Sequence, residues 1–340
     1  MTDSTTRGTP LRLGTRRSKL AVAQSGQVAD AVRELTGRPV ELVEITTYGD
    51  TSREQLARIG GTGVFVSALR DALLAGEIDF AVHSLKDLPT TQPDDLTLAA
   101  VPRRADPRDA LIARDGLAFE ELPDGARVGT GSPRRMAQLN AWARQLGRRI
   151  EAVPIRGNVD TRIAFVEKGE LDGVVLAAAG LTRLGRISEA TQLLSPDMVL
   201  PAPGQGALAV ECAAVNADLA AELAGLDDPF TRVAVTAERS LLAALEAGCS
   251  APVGALAEVS PSSRLRSSGG GPMADEQAVT EMRLRGVVGT TDGSALVQLS
   301  TTGHVPASPD DTTMPLRMGR ELAAEMLAKG AAGLMGERAL

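Results

Sequence analysis

Two stretches of this chain repeat one another without a gap. GEIDFAVHSLKDL (76–88) and GELDGVVLAAAGL (169–181) share Gly-Glu-apolar-Asp followed by a valine-containing run. A second echo lies upstream of each. LRLGT, RRS and KLAVAQSGQVADAVREL (11–35) read as strand, turn and helix; RVGT, GSPRR and MAQLNAWARQL (127–146) repeat that plan, with Pro133 suited to a first helical turn. Two echoes in the same order predict two α/β lobes of about a hundred residues each.

Between the echoes lies VPRRADPRDALI (101–112), rich in proline and charge, which reads as a crossover; LPAPGQGALAVEC (200–212) reads as a return. Two crossings imply a hinge, with strand ends facing a shared cleft as in periplasmic binding proteins. From Asp227 the pattern changes to a long helix (229–248), candidate strands near 253–259, 281–289 and 295–301, and a helix near 316–329. The expected fold class is therefore α/β, two periplasmic-binding-protein-like lobes with a hinge plus a smaller α+β C-terminal domain. The expected boundaries are 10–102 with 203–224 for lobe 1, 103–202 for lobe 2, and 227–335 for the third domain. SPSSRLRSSGGGPMADEQ (260–277) and TTGHVPASPDDTTMP (301–315) have loop composition, and both are expected to be poorly ordered.

Composition narrows the function. With 340 residues, 43% hydrophobic and 23% charged, the chain reads as globular; aromatics at 2% leave few stacking platforms for single-stranded nucleic acid. A net charge of -7 argues against non-specific binding to DNA or an anionic membrane. The amino-terminal MTDSTTRGTP lacks the apolar core of a signal peptide, and no apolar run reaches the ~18 residues of a membrane helix, so a cytoplasmic location is expected. Two cysteines are too few for a zinc site, and no metal is expected.

Of 36 cationic residues 32 are arginine, suited to forked recognition of carboxylates. Arg16, Arg17, Arg134, Arg135, Arg156, Arg162 and Arg183 fall near strand ends and helix starts, where unpaired N–H groups already favour anions. A polyanionic ligand would explain the set; solvated surface arginines would explain any single one. In DFAVHSLKDLPT (79–90) an apolar strand runs into His83, Ser84, Lys86 and Asp87 before Pro89 stops it. His83 reads as a buried, hydrogen-bonded histidine. Lys86 and Asp87 read as a pair in which a cation keeps a carboxylate ionised for proton handling or charge stabilisation, or else as a surface salt bridge. Cys212, within an apolar run, reads as core. Cys249, in GCSAPVG after a helix end, is either a presented thiol or a buried structural cysteine.

Nine segments in order, LRLGTRRSKLA, GGTGVFVSAL, AVHSLKDLPT, DPRDAL, GTGSPRRMAQL, IRGNVDTR, LAAAGLTRLG, LPAPGQGAL and GCSAPVG, give the chain a resemblance to the porphobilinogen deaminase (hydroxymethylbilane synthase) family over nearly its whole length. The resemblance implies an enzyme that condenses four porphobilinogen molecules head to tail with loss of ammonia, then hydrolyses off the linear tetrapyrrole. It implies a dipyrromethane cofactor on a thioether to Cys249, and a catalytic carboxylate at Asp87 beside the electron-poor azafulvene formed when ammonia leaves. By the same resemblance Ser84, Lys86, Thr130, Ser132, Arg134, Arg135, Arg156 and Gly157 contact the cofactor. Arg16, Ser18, Gln24, Arg156, Arg162, Arg183 and Gln205 contact substrate. The implied partner is porphobilinogen alone, with no nucleic acid and no membrane, on a monomer. A non-catalytic, two-lobed binding protein for an organic anion is the rival reading; it accounts for the hinge and the arginines but not for Asp87 or Cys249.

Overall fold

The structure is a computed structural model and describes residues 8–46, 63–248, 251–261, 279–306 and 312–335. In chain order the first elements are β1 (Leu11–Thr15), α1 (Lys19–Thr36), β2 (Val40–Glu44), α2 (Gly63–Leu74), β3 (Phe80–Ser84) and β4 (Leu96–Ala100). Then follow β5 (Asp109–Ala113), β6 (Arg127–Thr130), α3 (Pro133–Gln145), β7 (Glu151–Pro154), α4 (Val159–Glu167), β8 (Gly173–Ala177), α5 (Ala178–Arg183) and β9 (Gln192–Leu193). The chain continues with β10 (Leu208–Ala213), α6 (Ala217–Leu223), α7 (Pro229–Ala244), β11 (Val253–Pro261), β12 (Val279–Gly289), β13 (Leu296–Pro306), α8 (Thr313–Ala328) and α9 (Ala331–Leu334).

The first sheet has the order β2-β1-β3-β10-β4. β1 runs parallel to β2 and β3, and β10 is antiparallel to both β3 and β4. Alternation on β1 sends Leu11 and Leu13 into one core with Val28, Ala29 and Val32, which share a face of α1 at helical spacing. Phe80 and Val82 of β3 join that core, while Ala81 faces the other way into a cluster with Leu69, Leu73 and Ile78. β3 is thus buried on both faces, which is why it reads as a continuous apolar run rather than an alternating one.

The second sheet, β7-β6-β8-β5-β9, has the same plan: β6 and β7 are parallel, and β5 is antiparallel to β8. β3 and β8 occupy aligned positions of the sequence echo, and the turns before them are built alike. Glu77 and Ile78 donate to the Ala72 carbonyl at 3.0 and 3.4 Å, and Glu170 and Leu171 donate to that of Phe165 at 2.9 and 3.1 Å. The residues after the two strands also match, since Leu85 N–H bonds the Ala207 carbonyl at 3.1 Å and Ala178 N–H that of Arg108 at 3.0 Å. The duplication read from sequence is present down to individual hydrogen bonds.

The third sheet is an antiparallel meander, β11-β12-β13. Its apolar face, with Met282 and Leu284, shares a core with Ala237 and Leu241 of α7 and Leu322 and Met326 of α8. The structure corrects one expectation in this domain. Composition places residues 301–315 in a poorly ordered loop, yet β13 runs through Pro306 because β12 pairs with it from Gly289↔Leu296 to Val279↔Pro306, and α8 already begins at Thr313, while 307–311 lie outside the described residues. Thr301, Thr302 and Val305 are β-branched and suit a strand once a partner edge exists, which composition alone does not reveal. Ser260 and Pro261 likewise end β11, whereas 262–278 lie outside the described residues.

By internal packing the chain divides into two compact units. One comprises Met1–Leu122, Arg156–Leu194 and Gln205–Asp228; the other comprises Pro123–Ile155, Ser195–Gly204 and Pro229–Leu340. Among the described residues no helix is long and apolar enough to cross a membrane.

Candidate active site

Within the first unit, polar side chains gather at the carboxyl ends of β1 and β3, where open α/β sheets place ligands. Ser18 caps α1, its Oγ accepting from Ala21 N–H at 3.2 Å. On the inner face of α1, Ser25 Oγ donates to Thr15 Oγ1 at 2.9 Å and Gln24 Nε2 to Ser84 Oγ at 3.0 Å. α1 is therefore tied to both strand ends, and the Ser84 hydroxyl is held in place by Gln24. Arg16 lies half-buried just beyond β1.

After β3 the chain makes one turn of 3-10 helix, Leu85–Asp87, anchored by the fully buried Leu85. Successive side chains on such a turn point about 120° apart, and neighbours in sequence do not face each other. The Lys86–Asp87 pair read from the sequence is accordingly not an ion pair. Lys86 Nζ turns to Gln205 Oε1 at 3.4 Å. Asp87 is half-buried, and among the described residues its carboxylate makes no hydrogen bond or ion pair.

The two crossover segments meet beside this turn. Gln205 is buried, and its Nε2 donates to the Pro107 carbonyl at 2.8 Å and to Asp109 Oδ1 at 2.7 Å. Arg104 Nε donates to the Gln205 carbonyl, and Arg183 Nη2 donates to the Gly206 carbonyl, each at 2.7 Å. Burial pushes the Arg183 pKa down from its ordinary value. Gly206 has φ +88°, and a Cβ there would stand 2.7 Å from the Ala105 carbonyl oxygen, so no other residue fits between the segments.

At the start of α4, Arg156 and Gly157 are not buried, and Asn158 Oδ1 accepts from Thr161 N–H at 2.9 Å. Gly157 sits at φ +108°, where a Cβ would come within 2.7 Å of Thr161 Cγ2. Arg162 Nε donates to the Gly157 carbonyl at 2.8 Å.

In the second unit, Thr130 is buried at the end of β6, and its Oγ1 accepts from Ser132 N–H at 3.2 Å. Pro133 opens α3, as the sequence predicts. Arg134 and Arg135 follow in its first turn and are only 3% and 5% exposed, which rules out solvated surface arginines for this pair. Arg134 Nη1 donates to the Leu200 carbonyl, and Gln138 brackets the same residue, accepting from Leu200 N–H at 2.7 Å and donating to its carbonyl at 3.0 Å. Cys249 lies outside the described residues. Cys212 is fully buried in the first sheet's core, where burial and then the charge of Glu211 push its thiol pKa up, so it is a packing residue.

One group the sequence reading passed over is Glu211, fully buried on β10. Arg70 of α2 reaches it with Nη2 at 2.8 Å and Nε at 3.1 Å, Gln92 Nε2 lies at 3.2 Å, and His83 Nε2 is 3.2 Å from its second oxygen. His83 of the DFAVHSLKDLPT motif is buried, as the sequence suggests, and Glu211 is its neighbour there. The sequence signal for it was a glutamate inside the apolar run GALAVEC, since a charge buried there needs counter-charges. Burial pushes the Glu211 carboxyl up, but its contacts with His83 and Arg70 outweigh it and hold the pKa at about 2, below the ordinary 4.5. A depressed acid contributes stability that is present above its unfolded pKa and is lost as pH falls through the folded one. The wild-type chain should therefore lose roughly 3 kcal/mol between pH 4.5 and about 2 from this group. Glu211→Gln should be destabilised by about that amount at pH 7 and show a shallower acid limb in urea unfolding across a pH series. An equal acid limb in both proteins would remove Glu211 as the cause.

Among the described residues no cluster of three or more His, Cys, Asp or Glu is placed to hold a metal ion. The polar edge of the first unit instead offers Lys86 and arginine side chains with hydroxyl and amide groups, a donor set suited to carboxylates.

Comparison with known proteins bears on what these residues serve. Residues 11–221 match the family model described as porphobilinogen deaminase, dipyromethane cofactor binding domain, and residues 232–328 match that described as porphobilinogen deaminase, C-terminal domain. The chain is 76% identical over 333 residues to porphobilinogen deaminase 1 of Streptomyces avermitilis, covering 96% of this chain and 98% of the relative. It is 53% identical to the porphobilinogen deaminase of Thermobifida fusca, covering 97% of each. Among solved structures, the VFT2 domain of Bordetella pertussis BvgS superposes with a TM-score of 0.37 at 15% identity, over 64% of this chain and 85% of that one.

Proposed function

The chain belongs to the porphobilinogen deaminase family, and on that premise we propose how its residues divide the work. It is a transferase of this type that uses a dipyrromethane cofactor. The organic-anion binding protein is not favoured, because relatives matched over almost their full length are enzymes.

In our reading Asp87 is the catalytic carboxylate. The observation that carries this is its position: at the carboxyl end of β3, half-buried, with no described partner on its oxygens and with Lys86 drawn aside to Gln205. As ammonia leaves porphobilinogen, positive charge spreads over the pyrrole onto its ring nitrogen. A fixed carboxylate beside that N–H stabilises the charge most where it is largest, in the transition state. The same group can carry a proton to the departing amine and take one from the attacked ring carbon. The dipyrromethane, when bound, supplies the first pyrrole carbon to which substrate is joined.

Cys249 holds that cofactor through a thioether. Ser84, Lys86, Thr130, Ser132, Arg134, Arg135, Arg156 and Gly157 bind its side chains, and Arg16, Ser18, Gln24, Arg156, Arg162, Arg183 and Gln205 bind the carboxylates of substrate and product. We assign 10–102 with 203–224 and 103–202 as the two lobes and 227–335 as the cysteine-bearing domain. The protein acts in the cytoplasm as a monomer. The basic donor set supports this reading, since every pyrrole unit brings an acetate and a propionate. The test is the intact mass of the purified protein: added mass equal to two pyrrole units is expected, and the bare chain mass would return the protein to the binding-protein reading.

A further inference from the structure

The buried carboxyl group of Asp109 has no part in that division of work, yet it touches a residue that does. Gln205 Nε2 has two hydrogens, and two acceptors stand on that side of the amide: the Pro107 carbonyl at 2.8 Å and Asp109 Oδ1 at 2.7 Å. A backbone carbonyl cannot donate, so the NH2 edge of the amide faces Pro107, and Asp109 Oδ1 takes its second hydrogen. The carbonyl edge must therefore point the other way, and there Lys86 Nζ stands 3.4 Å from Gln205 Oε1. With the amide reversed, Lys86 would meet an NH2 group, donor against donor, and both acceptors would lose the Gln205 hydrogens. The backbone at Gln205 is held as well, by Arg104 Nε on its carbonyl at 2.7 Å and by Ala105 N–H on the Gly206 carbonyl at 3.2 Å. The remaining freedom is the amide flip. Asp109 and Gln205 are 0% and 1% exposed, so water does not compete for these bonds.

We propose that Asp109 is a positioning residue. It fixes the Gln205 amide with its oxygen toward Lys86, and this draws the ammonium aside and leaves the adjacent Asp87 carboxylate open to substrate. The proposal rests on the assignment of Lys86, Asp87 and Gln205 to the active site. Asp109→Asn keeps the shape but can turn an NH2 group toward Gln205, which removes one of the two acceptors that hold the amide and weakens its orientation.

The experiment compares the wild type with Asp109→Asn, Gln205→Met and the double variant. Acylation of the Lys86 amine by an activated ester, read by peptide mass spectrometry, is expected to rise several-fold in each single variant and no further in the double. Turnover of porphobilinogen should fall in each single variant, with the double no slower than Gln205→Met. Unchanged Lys86 reactivity in the single variants, or additive losses in the double, would overturn the proposal. If Asp109→Asn does not fold, the decision passes to the wild type: the Gln205 side-chain NH2, assigned by its absence from the Gln205→Met spectrum, should exchange with solvent far more slowly than an exposed glutamine amide. Exchange at the exposed rate would also overturn it. A failure of the enzyme reading would show separately, as absent pyrrole mass on the wild type.

Discussion

Asp87→Asn should fold like the wild type and consume porphobilinogen more than a hundredfold more slowly. The amide has the shape of the carboxylate without its charge, and no described group depends on Asp87 for a hydrogen bond, so the fold has little reason to respond. On the proposed assignment the transition state does depend on it, because positive charge on the pyrrole nitrogen has to be met within a partly buried site. Losing about 3 kcal/mol of that stabilisation alone gives a hundredfold. Asp87→Glu keeps the charge one methylene away and should retain residual turnover, with partly elongated species accumulating. Single-turnover kinetics on folded variants, with mass spectrometry counting pyrrole units on the protein, reads both effects. Near wild-type elongation by the Asn variant would transfer the chemistry to Lys86 or to another group.

Cys249→Ser should carry no pyrrole at all, and so should lose activity entirely rather than by a factor. A serine ether is not formed where the thiolate is the nucleophile, and without the attached cofactor there is no first acceptor for substrate. The denatured variant, treated with an acidic aldehyde reagent, should give no pyrrole colour. A colour as strong as that of the wild type would place the attachment elsewhere. Cys212→Ser is the matched control: its thiol is fully buried in the core that also holds Phe80 and Val210, so the hydroxyl should lower stability by about 1–3 kcal/mol while leaving the colour intact.

Much of the architecture was legible because it follows from local rules. β1 with α1, and β6 with α3, stand where strand, turn and helix are read, since apolar spacing, Ser18 as a cap and Pro133 in a first turn each act within a few residues. The echo correctly paired β3 with β8, because duplicated sequence repeats its turn hydrogen bonds as well as its strands. The end of the third domain was less legible. TTGHVP has a loop's composition and becomes strand only because β12 offers it an edge.

The sequence by itself determined the family, the reaction type, the two α/β repeats and the residues proposed for chemistry. Each of these is written in residue identity and order. The tertiary structure alone decided which polar groups meet. It separated Lys86 from Asp87, whose adjacency in sequence suggested a pair, and gave Lys86 to Gln205. It buried Arg134 and Arg135, and it joined His83 to Glu211 and Gln205 to Asp109 across long stretches of chain. The physical reason is that a hydrogen bond has a range of about 3 Å and a direction, and both depend on the folding of strands that sequence spacing does not bring together.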